Sequence, residues 1–170
     1  MLNVVLYEPE IPQNTGNIMR TCAATNTHLH IIRPTGFVFS ESRLKRSGVN
    51  YIPECHYTLY DDFNDFKEKN KGKYYYFTRY GKKPHTSFDF SDSKENIYLI
   101  FGKESTGIPL EILRNDLEHC TRIPMSEHVR ALNVSNSVAI AVYEVLRQQN
   151  YIGLSFKEPF KGENYLEGGN

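Results

Sequence analysis

Three polar stretches of this chain carry residues whose types and spacing could do chemistry. The loudest is Ile100–Pro109, "IFGKESTGIP", in which Gly102 and Gly107 have the separation of the glycines in a phosphate-binding loop. A Walker A loop needs a lysine and a hydroxyl directly after the second glycine, to reach the outer phosphates and magnesium. Ile108 and Pro109 stand there instead, which argues against nucleoside triphosphate hydrolysis. What remains is a strand end, a glycine-permitted turn, one carboxylate at Glu104, and a helix opening at Pro109, a favoured first position. Two readings fit: an ordinary strand-to-helix connection, or a polar small molecule gripped by backbone amides.

The second stretch, "EPEIPQNTGNIMRTCAAT", directly follows the first apolar run. Asn14 or Thr15 can cap a helix there, Gly16 permits close backbone approach, and Arg20 follows at i+6 from Asn14. A capped helix with a solvated arginine is one reading. The other is a ligand at the carboxyl end of a strand, where open α/β sheets place theirs. A dinucleotide fingerprint needs three spaced glycines and this loop has one, so Rossmann cofactor binding is poorly supported.

The third stretch is "TRIPMSEHVRALNVSNSVAIAVYEVLRQ". Asn133, Ser135, Asn136 and Ser137 enter a long helix although such side chains compete with the helical backbone. Capping accounts for one of them; four invite a ligand. Elsewhere the chemistry is quiet. The six histidines show no metal spacing: His28 and His30 share one side of a strand but lack a cysteine or carboxylate pattern. No G-x-S-x-G elbow is present, so acyl transfer has no support.

Short β-branched runs alternating with helical patterns position these stretches, the signature of a parallel sheet covered by helices. Strands are expected at Asn3–Tyr7, Leu29–Arg33, Lys73–Thr78, Ile97–Phe101 and Cys120–Ile123. Helices are expected at Asn14–Thr25, Glu41–Ser47, Tyr60–Asn70, Pro109–Asn115 and Asn133–Gln149. In the last, Val134, Val138, Ala141, Val142, Val145 and Leu146 recur on one face, and Ala139, Ile140 and Tyr143 widen the stripe enough to cover both the sheet and a second subunit. After Gly153 the periodicity ends, giving one domain at 1–153 and a tail at 154–170.

A chain of 170 residues can bury a sizeable core as a single domain. Twenty basic residues balance twenty acidic ones, so no overall field draws in a polyanion and any nucleic-acid contact must be local. Cys22, Cys55 and Cys120 are odd in number and far apart, which fits a reducing, cytoplasmic setting. The opening run lacks a positive n-region and reads as a strand, and no membrane partner is expected.

Taken in order, "NTGNIMR", "LIFGKESTGIP" and "IPMSEHVRALNVSNSVAIAVYE" resemble the three motifs of the SPOUT class of RNA methyltransferases. With "MLNVVLYEPEIPQNTGNIMR" and "LHIIRPTGF", the chain from Met1 to about Gly153 is similar to the small bacterial tRNA (cytidine/uridine-34-2'-O)-methyltransferases of that class. The resemblance implies an α/β fold with a deep C-terminal trefoil knot, a homodimer, and S-adenosyl-L-methionine as methyl donor, with no metal. It implies donor contacts at Phe77, Thr78, Gly102, Ile123, Met125, Ala131 and Leu132, mostly through backbone and apolar packing. Asn14, Arg20, Glu104 and Asn133 match the positions implicated in catalysis. Many relatives carry serine where this chain has Ala131, so any role of that hydroxyl does not transfer.

Methyl transfer to a ribose 2'-hydroxyl is an in-line displacement that positioning accelerates. Arg20 is a poor base, because a guanidinium keeps its proton (pKa above ~12), and suits binding the adjacent phosphate and polarising the hydroxyl; the alternative, Arg20 as the base, requires a strongly perturbed pKa. Arg43, Lys45, Arg46, Arg79, Lys82 and Lys83 are candidate phosphate contacts for a tRNA anticodon arm, with Tyr80 available to stack on a base. Two alternatives stay open: the same fold acting on ribosomal RNA or another tRNA position, or a non-catalytic RNA-binding factor.

Overall fold

The structure, a computed structural model, describes residues 1–40, 54–162 and 164–168. The expected helix at Glu41–Ser47, with Arg43, Lys45 and Arg46, lies outside the described residues. Seven strands form one sheet: β1 Leu2–Tyr7, β2 His28–Ile32, β3 Tyr57–Tyr60, β4 Lys73–Phe77, β5 Lys83–Pro84, β6 Ile97–Phe101 and β7 Cys120–Arg122. Their order is β3-β2-β1-β6-β4-β7-β5, and every pairing is parallel. Helices α1 Pro12–Ala24, α2 Phe63–Lys69, α3 Leu110–Arg114 and α4 Val134–Gln148 flank it.

Alternation along the central strands feeds two cores. Leu2, Val4 and Leu6 of β1, with Ile97, Leu99 and Phe101 of β6, face one side; Val5 and Ile100 face the other. The first core is closed by α1 and α4, whose Ile18, Met19, Val138, Val142 and Val145 are fully buried. Burying each such side chain stabilises by about 1.5–3 kcal/mol. The second core takes Phe66 of α2 and Leu113 of α3. The far line of α4 stays uncovered in one chain, with Ile140 40% and Tyr143 48% exposed.

Two strands were not expected. Tyr57–Tyr60 pairs with β2, and Tyr60 belongs to it instead of opening a helix; α2 starts later, after Asp62 caps it by accepting from the Asp65 N–H at 2.9 Å. The two-residue β5 is too short to carry any period. Apolar packing continues to Leu154, whereas Phe156, Phe160 and Leu166 are 84%, 91% and 97% exposed. Among the described residues no helix is long and apolar enough to cross a membrane, and no group of ligating side chains could hold a metal.

His30 is structural. Asn3 donates its amide to the Met1 and Ile97 carbonyls, which turns its Oδ1 toward His30 Nε2 at 3.1 Å. Nε2 therefore carries the hydrogen, and Nδ1 accepts from the Tyr60 hydroxyl at 2.8 Å. Burial, and then the neighbouring His28, push the His30 pKa down to about 3. The unfolded chain takes this proton near pH 6.5 and the folded chain refuses it, so stability is full above about 6.5 and falls as pH drops. This residue alone should remove about 2 kcal/mol between pH 7 and pH 5. Denaturant titrations of wild type and His30→Gln at both pH values check this; equal pH slopes in the two proteins would contradict it.

Candidate active site

The three polar stretches meet at the carboxyl ends of β1, β4, β6 and β7. Helix α1 begins at Pro12 with Ile11 as N-cap, and no side chain of its own first turn caps it. Asn14 and Thr15, the expected caps, lie inside the first turn and are buried. The cap comes from the other loop instead: the Glu104 carboxylate accepts from the Glu10 N–H at 2.8 Å, the Ile11 N–H at 3.2 Å and Asn14 Nδ2 at 3.0 Å. A carboxylate at a helix N-terminus is favoured by the helix dipole as well.

An ionised carboxylate only accepts, so it fixes the Asn14 amide with Nδ2 inward and Oδ1 outward. That oxygen accepts from Asn133 Nδ2 at 3.0 Å, leaving Asn133 Oδ1 to accept from the Ser135 N–H at 2.8 Å and the Ser135 hydroxyl at 2.6 Å. Glu104, Asn14, Asn133 and Ser135 thus form one hydrogen-bonded chain across all three stretches. Asn133 caps α4, and Ser137 bonds back to its carbonyl at 3.2 Å, so local structure accounts for three of the four polar residues at this helix start.

Two further links clasp the loops after β1 and β6. Glu8 pairs with Lys103, and the Glu10 carboxylate accepts from the Ser105 N–H at 2.9 Å and hydroxyl at 2.8 Å. The Ser105 N–H, then its hydroxyl, hold the Glu10 carboxyl below its ordinary pKa. The loop after β6 folds onto itself: Lys103 and Gly107 exchange backbone bonds at 3.2 and 2.9 Å, and Gly107 has φ +76°. A Cβ at Gly102 would lie 2.1 Å from the Gly107 carbonyl carbon, so this glycine admits the loop's own return strand.

These loops wall a cavity of about 590 Å³, within the ordinary range for a small-molecule site. Phe77, Thr78, Gly102, Ile123, Met125, Ala131 and Leu132 all line it, as do Asn14, Glu104 and Asn133. Arg20 does not. Six residues at about 100° each carry it about 240° round the helix from Asn14, onto an exposed side of α1. Glu104 borders the cavity, yet both its oxygens are committed to α1 and Asn14.

Of the expected phosphate contacts, Arg79 lines the cavity and lies over the Tyr80 ring, 4.9 Å from its centre. Lys82 is exposed away from it, and Lys83 sits in β5, 3.7 Å from Glu118. Sequence reasoning assigned nothing to Arg122 and Arg130, which also line the cavity. Both lie inside the third stretch, and no local pattern there sets either arginine apart from a solvated one.

Known proteins share both the sequence and this architecture. The SpoU rRNA Methylase family matches residues 1–143. An Escherichia coli tRNA (cytidine(34)-2'-O)-methyltransferase is 42% identical over 160 residues, spanning 93% of this chain and all of its own. A Geobacillus stearothermophilus protein bearing the same name in provisional form is 54% identical over 155 residues, 91% of this chain and 99% of its own. A solved structure described as giving insight into 2-OH methylation of C/U34 on tRNA superposes with TM-score 0.81 at 41% identity, covering 88% of this chain and 97% of that one. The SpoU methyltransferase AviRb from Streptomyces viridochromogenes, in complex with AdoMet, shares the fold at 20% identity and TM-score 0.76, covering 91% of this chain and 59% of its own. With the match running through all three stretches that wall the cavity, this chain belongs to the SpoU methylase family.

Proposed function

We propose that this protein transfers a methyl group from S-adenosyl-L-methionine to the ribose 2'-hydroxyl of nucleotide 34 in the tRNA anticodon, leucine tRNAs among its substrates, and works as a homodimer in the cytoplasm. One observation carries the reading: residues from the first, second and third stretches line a single cavity and are tied by one hydrogen-bonded chain. Relatives at 42% and 54% identity with tRNA (cytidine(34)-2'-O)-methyltransferase names support the substrate. The buried, unpaired cysteines fit a reducing compartment. A trefoil knot in the C-terminal part is proposed on the three motifs alone, which are those of the SPOUT class.

The residues present fit the donor. Phe77, Ile123, Met125 and Leu132 offer apolar surface for an adenine, and Thr78, Gly102 and Ala131 lie on the same wall, Thr78 with its N–H already given to the Thr121 carbonyl. When bound, the donor supplies a methyl group on a sulfonium: the sulfur–carbon bond breaks, the oxygen–carbon bond forms, and the hydroxyl proton leaves to solvent. The polar chain holds the loops so that the ribose meets a fixed cavity wall, which is where positioning acts on the rate. Arg20 polarises the hydroxyl and binds the neighbouring phosphate from a second copy of the chain. Its exposed place on α1, which packs on α4 beside exposed Ile140 and Tyr143, supports that arrangement. Arg79, Tyr80, Lys82 and Lys83, with Arg43, Lys45 and Arg46, serve the anticodon arm.

The family description speaks of rRNA, which keeps ribosomal RNA as the competing substrate. Purified protein and labelled donor, offered total tRNA or ribosomal RNA from a strain lacking the gene, separate the two. Label is expected in tRNA; label confined to ribosomal RNA would transfer the assignment, and no label despite donor binding would make this a non-catalytic RNA-binding protein.

A further inference from the structure

Four cationic side chains line the cavity, and their surroundings differ. Lys103 is paired with Glu8. Arg79 lies over Tyr80 and donates to its hydroxyl at 2.9 Å. Arg122, half-buried, and Arg130, exposed, have neither a hydrogen bond nor an ion pair among the described residues. Glu104, the one carboxylate lining the cavity among the described residues, is already committed to three N–H groups.

Arg122 is presented on a rigid base. Its neighbour Thr121 is fully buried, donates its hydroxyl to the Lys83 carbonyl at 3.0 Å, and accepts from the Thr78 N–H at 2.9 Å. Gly81 packs so closely that a Cβ there would lie 2.4 Å from the Thr121 carbonyl carbon. A half-buried guanidinium with five N–H donors and no acceptor is unfavourable by itself, and its planar fork suits an oxyanion. Two oxyanions are at hand on the methyl-donor reading: the donor's carboxylate and an RNA phosphodiester. Arg130 and Tyr80, 59% exposed, open this side of the cavity to a macromolecule, and a chain of zero net charge must draw RNA through such local patches.

We propose that Arg122 and Arg130 form an oxyanion subsite filled by a phosphodiester of the RNA substrate, and that filling it strengthens binding of the methyl donor relative to the demethylated product. The inference rests on the methyl-donor reading given above. The donor's sulfonium carries one positive charge more than the product's thioether sulfur. Two unneutralised guanidinium groups therefore repel the donor more than the product, and a phosphate between them removes the difference. Coupling of this kind is reciprocal, so the donor also strengthens RNA binding.

The test is calorimetric titration of the wild-type protein with S-adenosyl-L-methionine and with S-adenosyl-L-homocysteine. Each is measured alone and with an anticodon stem-loop carrying a 2'-deoxy nucleotide at the target, which cannot turn over. The preference for the demethylated compound is expected to shrink about tenfold when the stem-loop is bound. In the Arg122→Gln, Arg130→Gln double variant, the preference without RNA should already equal that of the RNA-saturated wild type, and RNA should not move it. A preference that RNA leaves unchanged in the wild type overturns the proposal. So does a double variant that loses donor and product affinity alike, which would place the donor's own carboxylate in the subsite. A wild-type protein that binds neither compound refutes the methyl-donor reading itself.

Discussion

Replacing Arg20 by alanine is expected to lower turnover by at least about 100-fold, the scale of a lost group that stabilises developing charge at a reacting oxygen. Affinity for S-adenosyl-L-homocysteine should stay within a few-fold, because Arg20 contributes nothing to the cavity wall of its own chain. Single-turnover kinetics with saturating tRNA, beside product titrations, give both numbers. The placement of Arg20 on an exposed side of α1 makes a sharper demand. Arg20→Ala and Ala131→Trp, the second intended to fill the cavity, should each be inactive alone. Chains unfolded and refolded together should regain turnover, because the intact cavity of one chain then meets Arg20 of the other. Failure of mixed dimers to regain activity would place Arg20 in cis, and a large loss of product affinity in Arg20→Ala would show that it holds the donor.

Glu104→Ala should act mainly through stability and shape. It strips the acceptor from two backbone N–H groups at the start of α1 and from Asn14 Nδ2. The exposed Ile11 N–H can turn to water, and at about 1–2 kcal/mol for each of the two partly buried donors, the Glu10 N–H and Asn14 Nδ2, a total loss of about 2–4 kcal/mol is expected. For a chain of this length that lowers the melting temperature by roughly 4–16 °C. Freed from Glu104, the Asn14 amide can turn, and the bond that holds Asn133 at the cavity goes with it. Turnover should fall about tenfold or more through this misalignment. Glutamine does not rescue fully, since its NH2 would face one of the donors that the carboxylate now accepts. Calorimetric melting of both variants decides the point. An Ala variant with wild-type stability and no activity would return Glu104 to the reaction centre, where the sequence motif alone had suggested it.

The sheet was legible because β1, β2, β4, β6 and β7 are apolar, β-branched or aromatic runs ending in polar loops, and the structure places them within a residue or so of expectation. Tyr57–Tyr60 was not, since "YTLYDDF" reads as easily into the following helix, and only pairing with β2 makes it a strand. The polar stretches were visible one at a time, each with an adequate local explanation. What joins them is long-range: Asn14 meets Glu104 across 90 residues and Asn133 across 119, and no window along the chain contains both partners. The glycines show the same limit. Gly102 looked like a place for a ligand to approach backbone, whereas the atoms that approach it belong to Gly107 and Ile108. Arg122 lacked a signal for the opposite reason: an arginine at a strand end is ordinary until its neighbours prove to offer it no acceptor.

The most direct measurement of the central proposal is the mass-spectrometric mapping of 2'-O-methylated nucleotides in tRNA from cells with and without this gene. Loss of the methyl group at position 34 of leucine tRNAs, restored by the wild-type chain and not by Arg20→Ala, is the predicted result. Full methylation at position 34 in cells lacking the gene, with a methyl group missing from ribosomal RNA or from another tRNA position instead, would contradict it.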